Sequence, residues 1–201
     1  RCGLHIRTFY IGGGTPTTLE PDQLRRLLDQ LGESFGFDGL VEFTIEAGRP
    51  DSITREKLEA IREYPVTRIS VNPQTMNQKT LEIIGRRHTV AQTIEAFQLA
   101  RELDYNNINM DLIVGLPGED ISMVRNTLDK IKELSPDSLT VHSLAVKRAA
   151  RLNMFRDKYQ EMTFENNQEI MDLTQQTAYS MEMGPYYLYR QKNMKGNFEN
   201  V

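Results

Sequence analysis

The chain has 201 residues, 39% of them hydrophobic and 26% charged, a balance that supports a folded core rather than disorder. Its net charge of −4, without a basic stripe along any predicted element, sets aside nucleic acid as a partner. No apolar run reaches the roughly 18 residues of a membrane span, so neither a transmembrane helix nor membrane association is expected, and no signal peptide is visible. The single cysteine, Cys2, excludes an internal disulfide and a cysteine-only metal site, and fits a cytoplasmic location. Because the chain opens on Arg1 and reaches a strand almost at once, it reads as a single domain over residues 1–201 that is an internal piece of a longer protein.

In chain order, strands are expected over residues 7–11, 41–46, 68–72, 107–114, 138–143 and 186–189. The first runs into Gly12-Gly13-Gly14-Thr15-Pro16, where missing side chains let backbone N–H groups approach a ligand. The spacing is neither a phosphate-binding loop nor a dinucleotide fingerprint, and a tight turn without a ligand is the plain alternative. Leu24, Leu27, Leu28 and Leu31 then recur at helical spacing, with Gly32 and Gly36 closing that region. Leu58 and Ile61 mark a short helix broken by Pro65, and Leu81 and Ile84 mark another ending near Gly85. Thr89 caps a helix whose inner face is Ile94, Phe97, Ala100 and Leu103. Val124, Leu128 and Ile131 give the next helix, and residues 164–183 a longer one ended by Gly184-Pro185.

Strands alternating with helices predict an α/β fold with a parallel sheet. Parallel strands buried on both faces usually read as continuous apolar runs, and these alternate instead. Glu42, Thr44 and Glu46 interleave with Val41, Phe43 and Ile45, and Arg68, Ser70 and Asn72 with Ile69 and Val71. Asn107, Asn109 and Asp111 interleave with Ile108, Met110 and Leu112, and Ser138, Thr140 and His142 with Leu139 and Val141. Helices must cover the apolar parity. The polar parity is costly in a dry interior, so it should line a space holding water or a polar ligand, or else form the solvated face of an open sheet. Ligands of such sheets gather at the carboxyl ends of the strands, which here collect Gly12, Gly13, Gly14, Glu46, Asn72, Gln74, Asp111 and His142.

At these strand ends the chain resembles a known family. Tyr10-Ile11-Gly12-Gly13-Gly14-Thr15-Pro16, Thr44-Ile45-Glu46-Ala47, Asn72-Pro73-Gln74-Thr75 and Asp111-Leu112-Ile113-Val114-Gly115-Leu116-Pro117-Gly118 are similar to the motifs of radical S-adenosylmethionine (SAM) enzymes. Within them the chain resembles the oxygen-independent coproporphyrinogen III oxidases, as do Gly85-Arg86-Arg87-His88-Thr89 and Pro185-Tyr186-Tyr187-Leu188-Tyr189-Arg190-Gln191-Lys192-Asn193, with a leaning to the HemZ-like branch. The resemblance implies a partial (β/α)6 TIM-like barrel truncated at its N-terminus. It implies a [4Fe–4S] cluster, SAM, an electron donor and a porphyrinogen substrate, whose propionates become vinyl groups in heme biosynthesis. The family's three cluster cysteines sit in a C-x-x-x-C-x-x-C loop that Cys2 does not match, so the chain alone should lack cluster and activity.

Carried over by position, the resemblance gives Gly12, Gly13, Gly14 and Thr15 the methionine end of SAM, and Glu46 its ammonium. Arg86 takes the carboxylate, Gln74 and Asp111 the ribose hydroxyls, and Ile113 and Gly115 the border of the adenine. Against these stand plainer roles. Arg86 reads also as a solvated loop charge, Glu46 and Arg68 as an interior ion pair, and His142 as a hydrogen-bonded interior histidine. Lys147, Arg148 and Arg151 read as a solvated loop or as partners of substrate carboxylates. Two rival functions remain at this point: a heme chaperone of the same superfamily, and an unrelated nucleotide-binding barrel without a cluster.

Overall fold

The computed structural model describes residues 5–144 and 167–186. Along the chain run β1 (Thr8–Ile11), α1 (Pro21–Phe35), β2 (Glu42–Gly48), α2 (Arg55–Arg62), β3 (Arg68–Gln74) and α3 (Gln78–Ile83). They are followed by α4 (Val90–Glu102), β4 (Ile108–Val114), α5 (Ile121–Leu134), β5 (Ser138–Ser143) and α6 (Gln168–Ser180). The five strands form one sheet in the order β1-β2-β3-β4-β5. Pairing is parallel between β1 and β2, with Phe9 opposite Phe43, and between β2 and β3, with Ile45 opposite Ile69.

Local chemistry sets the helix ends. Pro21 occupies the first turn of α1, where its missing N–H costs nothing, and Gly36 ends the helix at φ 73°. Thr89 and Gln92 cap α4 reciprocally, Thr89 N–H to Gln92 at 2.8 Å and Gln92 N–H to Thr89 at 3.1 Å. Asp120 caps α5 by accepting from the Met123 N–H at 2.9 Å and the Ser122 hydroxyl at 2.6 Å. The Ser122 bond first, then the Met123 bond, holds its carboxyl below the usual carboxylate range.

The chain divides into two compact units. The first comprises Arg1–Pro73, His88–Met110 and Pro136–Ser138. Its core is the apolar parity of β2 and β3 (Phe43, Ile45, Ile69, Val71) with Leu58 and Ile61 of α2, all fully buried. Tyr105 is buried here too, and its hydroxyl donates to the Leu58 carbonyl at 2.7 Å. The second comprises Gln74–Arg87, Asp111–Ser135 and Leu139–Val201. There Val124, Leu128 and Ile131 of α5 are buried, and α6 packs on α5 with Ile170 and Met171 inward.

Several boundaries depart from the sequence reading. β2 runs on through Ala47 to Gly48, with a register shift between Glu46 and Gly48. β3 passes through Pro73 to Gln74, since Pro73 lies beyond the last β2–β3 pair, Gly48 opposite Val71. Gly32 lies inside α1. The inner face of α4 is Thr93, Ala96, Phe97 and Ala100, while Ile94 is half-buried and Leu103 follows the helix. Apolar residues at Val90, Ile94 and Leu99 surround that helix, so no sharp stripe marks its buried side. The last helix stops at Ser180, short of Gly184. Cys2, residues 147–151 and residues 187–193 of the expected sixth strand and its motif lie outside the described residues.

Burial lifts the Tyr105 hydroxyl well above the ordinary tyrosine value of 10. A folded pKa above the unfolded one gives a contribution complete below pH 10 that falls as pH rises further. Tyr105→Phe should lose about 0.5–1.5 kcal/mol at neutral pH from the missing hydrogen bond. In urea unfolding, its stability should also decline less steeply than the wild type's above pH 10. Parallel declines would contradict this burial.

Candidate functional site

In the first unit the polar parity is hydrogen-bonded across strands. Arg68 of β3 is largely buried, and its Nη2 donates to Asn109 Oδ1 at 2.9 Å and Ser138 Oγ at 3.1 Å. Ser138 Oγ donates to the same Asn109 oxygen at 3.0 Å, and Glu42 lies 3.9 Å from Arg68. Thr44 donates to Glu42 at 2.7 Å, and Ser70 to Asn72 at 3.0 Å. Charged and amide groups in a low-dielectric setting are tolerable when bonded in this way.

Toward the carboxyl ends of β1 and β2 the glycine turn meets Glu46. Tyr10 donates its hydroxyl to Glu46 Oε1. A Cβ on Gly12 would lie 2.6 Å from the Tyr10 ring and 2.8 Å from the Glu46 carboxyl carbon, so any side chain there would push this pair aside. Gly13 needs freedom of a different kind, standing at φ 92°. A Cβ on Gly14 would meet nothing within 4 Å. The turn is anchored to the end of β2. Thr15 lies where a Cβ on Gly48 would come within 2.8 Å of its Cγ2, and Gly48 itself stands at φ 77°. Fully buried Thr17 donates to the Ala47 carbonyl and lies 2.6 Å from Ser52 Oγ, while Lys57 Nζ donates to the Thr17 carbonyl at 2.8 Å.

The second unit carries the other strand-end candidates. Gln74 closes β3 in the left-handed region at φ 68°, although it is not glycine, and is buried. Asp111 and Ile113 on β4 are half-buried, and Gly115 turns the chain after it at φ 80°. Arg86 is half-buried where Arg87 is exposed, and its backbone N–H donates to the Leu81 carbonyl at 2.8 Å. In the first unit, His88 is buried with Nε2 3.2 Å from the Pro73 carbonyl, while half-buried His142 of β5 belongs to the second unit.

The sequence reading passed over a buried cluster in the second unit. Glu119, 2% exposed, accepts from Thr75 Oγ1 at 2.6 Å and Asn77 Nδ2 at 2.9 Å. Thr127 of α5 joins them, 3.1 Å from Thr75 Oγ1 and accepting from the Met76 N–H at 3.1 Å. The available signal was an acidic residue directly after the Gly115-Leu116-Pro117-Gly118 turn. Tyr10 was likewise read only as part of an apolar run, and it is the donor to Glu46.

A parallel α/β sheet with glycine turns and polar side chains at its strand ends defines a ligand-binding fold. Residues 3–131 match the Radical SAM superfamily, and the chain belongs to it. It is 46% identical over 98% of its length to the oxygen-independent coproporphyrinogen-III oxidase-like protein HemZ of Bacillus subtilis, covering 39% of that protein. It is 33% identical to the heme chaperone HemW of Lactococcus lactis, over 87% of this chain and 48% of the chaperone. The solved structure of coproporphyrinogen III oxidase HemN from Escherichia coli superimposes with TM-score 0.75 at 29% identity, over 89% of this chain and 40% of that one. The α/β fold of the radical SAM class is therefore the expected one, and the chain spans less than half of each of these relatives.

The residues present suit SAM. A half-buried carboxylate lies in a cradle that a Cβ would fill, and buried Gln74 ends a strand in a constrained turn. No group of three His, Cys, Asp or Glu side chains among the described residues could hold a metal ion. Among the described residues no helix is long and apolar enough to cross a membrane.

The unequal space at the glycines gives a direct test. Gly12→Ala should lower stability to urea by about 1–3 kcal/mol, as overpacking does. Gly14→Ala should stay within roughly 0.5 kcal/mol of the wild type. Equal losses would contradict the cradle.

Proposed function

We propose that this chain is the SAM-binding part of an oxygen-independent coproporphyrinogen III oxidase of heme biosynthesis. The observation that carries the reading is the 46% identity, over 98% of the chain, to a protein named coproporphyrinogen-III oxidase-like. In the intact protein, SAM and a cluster held by residues outside this chain would supply radical chemistry able to take a hydrogen atom from each of two propionate side chains of the substrate. Each side chain would then lose CO2 and one electron, the electron passing to an acceptor outside this chain, to leave a vinyl group and give protoporphyrinogen IX. The electron donor and the cluster ligands come from outside this chain.

The chain's own residues bind and orient. A carboxylate has about four acceptor positions, so Glu46 can accept from the SAM ammonium through Oε2 while Oε1 accepts from Tyr10. Gly12, Gly13 and Gly14 present backbone beside it, and Thr15 holds that turn against Gly48. In the second unit Gln74 and Asp111 bond the ribose hydroxyls, and Ile113 and Gly115 border the adenine. Arg86 forks onto the SAM carboxylate, which a planar guanidinium matches with two N–H donors. The half-burial of Arg86 beside exposed Arg87 supports that choice.

The 33% identity to a heme chaperone keeps one rival reading, in which the intact protein binds heme without oxidising porphyrinogen. Anaerobic incubation of the intact, cluster-loaded protein with coproporphyrinogen III, SAM and a reductant should yield protoporphyrinogen IX. Stoichiometric heme binding with no porphyrinogen turnover would overturn the oxidase and favour the chaperone. For the SAM contacts, calorimetry on the same protein should show Arg86→Ala weakening SAM by roughly 1.5–3 kcal/mol, the range for a charged hydrogen bond. Arg86→Lys should weaken it less, and Arg87→Ala by under about 0.5 kcal/mol. A larger loss at Arg87 than at Arg86 would place the carboxylate contact on the wrong arginine.

A further inference from the structure

We propose that Glu119 is a positioning residue that holds the Gln74 turn in its ligand-binding shape; the inference rests on the reading of Gln74 as a ribose contact. Gln74 stands at φ 68°, a left-handed conformation that a side chain with a Cβ resists. Such a backbone persists when its surroundings over-determine it, and here they do. Thr75, the next residue, is 1% exposed and donates to Glu119 Oε1 at 2.6 Å. Two residues further on, Asn77 donates through Nδ2 to the same oxygen at 2.9 Å and to the Met123 carbonyl at 2.9 Å, and that nitrogen lies 3.1 Å from Thr127 Oγ1. Asn126 Nδ2 donates to Asn77 Oδ1 at 2.8 Å, and Lys130 Nζ donates to the Met76 carbonyl at 3.1 Å. The three residues after Gln74 are thus clamped by α5 and by Glu119.

Glu119 differs from the α5 partners in where it sits. It ends the turn that begins at Gly115, and its own N–H donates to the Leu116 carbonyl at 3.2 Å. Its carboxylate therefore ties the turn after β4 to the turn after β3, the two turns of this unit that carry Gly115 and Gln74. Burying a carboxylate is costly unless it is well bonded. Glu119 meets that condition, accepting from Thr75 at 2.6 Å and from Asn77 at 2.9 Å. An apolar residue at position 119 would fill the space but leave the Thr75 hydroxyl and the Asn77 amide without this acceptor.

The test uses the intact, cluster-loaded protein and two probes, SAM and its 2′-deoxyribose analogue, with affinities measured by calorimetry. The wild type should prefer SAM by about tenfold, the upper end for a lost hydrogen bond to an uncharged side chain such as Gln74. Glu119→Gln keeps an acceptor oxygen and should retain that preference. Glu119→Ala should bind SAM at least tenfold more weakly and prefer it by less than about threefold. A general loss of stability would weaken both probes alike and leave the preference intact. Should Glu119→Ala fail to fold, Thr75→Val removes the donor from the other side and should lose the preference in the same way. Gln74→Ala separates the two layers of the proposal. Preference lost in Gln74→Ala but kept in Glu119→Ala, or in Thr75→Val where it replaces it, overturns the positioning role alone. Preference kept in both overturns the ribose contact and the positioning role with it.

Discussion

The structure depends on one constraint: every polar side chain that the strands direct to one parity must find a hydrogen-bond partner. Arg68 is the clearest case. Its largely buried guanidinium reaches Asn109 on the adjacent β4 and Ser138 on β5 beyond it, and lies within 3.9 Å of Glu42. Removing one partner from such a group leaves a buried charge with an unmet donor, which costs more than the bond itself contributes. The apolar parity of the same strands forms an ordinary core of Phe43, Ile45, Ile69 and Val71. One parity supplies stability, and the other is free to carry chemistry at the strand ends.

The same constraint explains the strand-end turns. Gly12 is glycine because Tyr10 and Glu46 occupy the space of its Cβ, and Gly13 because its backbone is left-handed. Gly48 is glycine on both counts, with Thr15 against it and φ at 77°. In the second unit, Gln74 takes a left-handed conformation without being glycine, and the bonds of Thr75, Met76 and Asn77 stand in for the missing freedom. Rigid turns of this kind hold ligand-binding groups ready without ordering them at the moment of binding.

Much of this was legible in the sequence where the signal is local. The Thr89 cap and the Gly36 stop depend on residues a few positions apart, and each is found. Burial, by contrast, does not follow the alternation of the strands: Thr44, Ser70 and Asn109 are buried beside their apolar neighbours. The buried side of α4 was read correctly at Phe97 and Ala100 but not at Ile94 and Leu103, because its apolar residues ring the helix and only tertiary packing selects Thr93 and Ala96. The strand ends were set short at Glu46 and Asn72, since glycine and proline are ordinary stop signals and sheet pairing overrode them. Glu119 and Thr75 are 44 residues apart, and Tyr10 and Glu46 36. No periodicity or turn rule connects positions so distant, so those bonds came only with the fold.

The central claim is that the polar strand ends of this chain receive SAM, with Glu46 at the ammonium. The most direct measurement is a crystal structure of the intact, cluster-loaded protein with SAM bound. The account predicts the SAM ammonium within about 3.2 Å of a Glu46 oxygen, alongside the Gly12 turn. SAM held with its ammonium on other residues, and Glu46 bonded to Tyr10 alone, would contradict it.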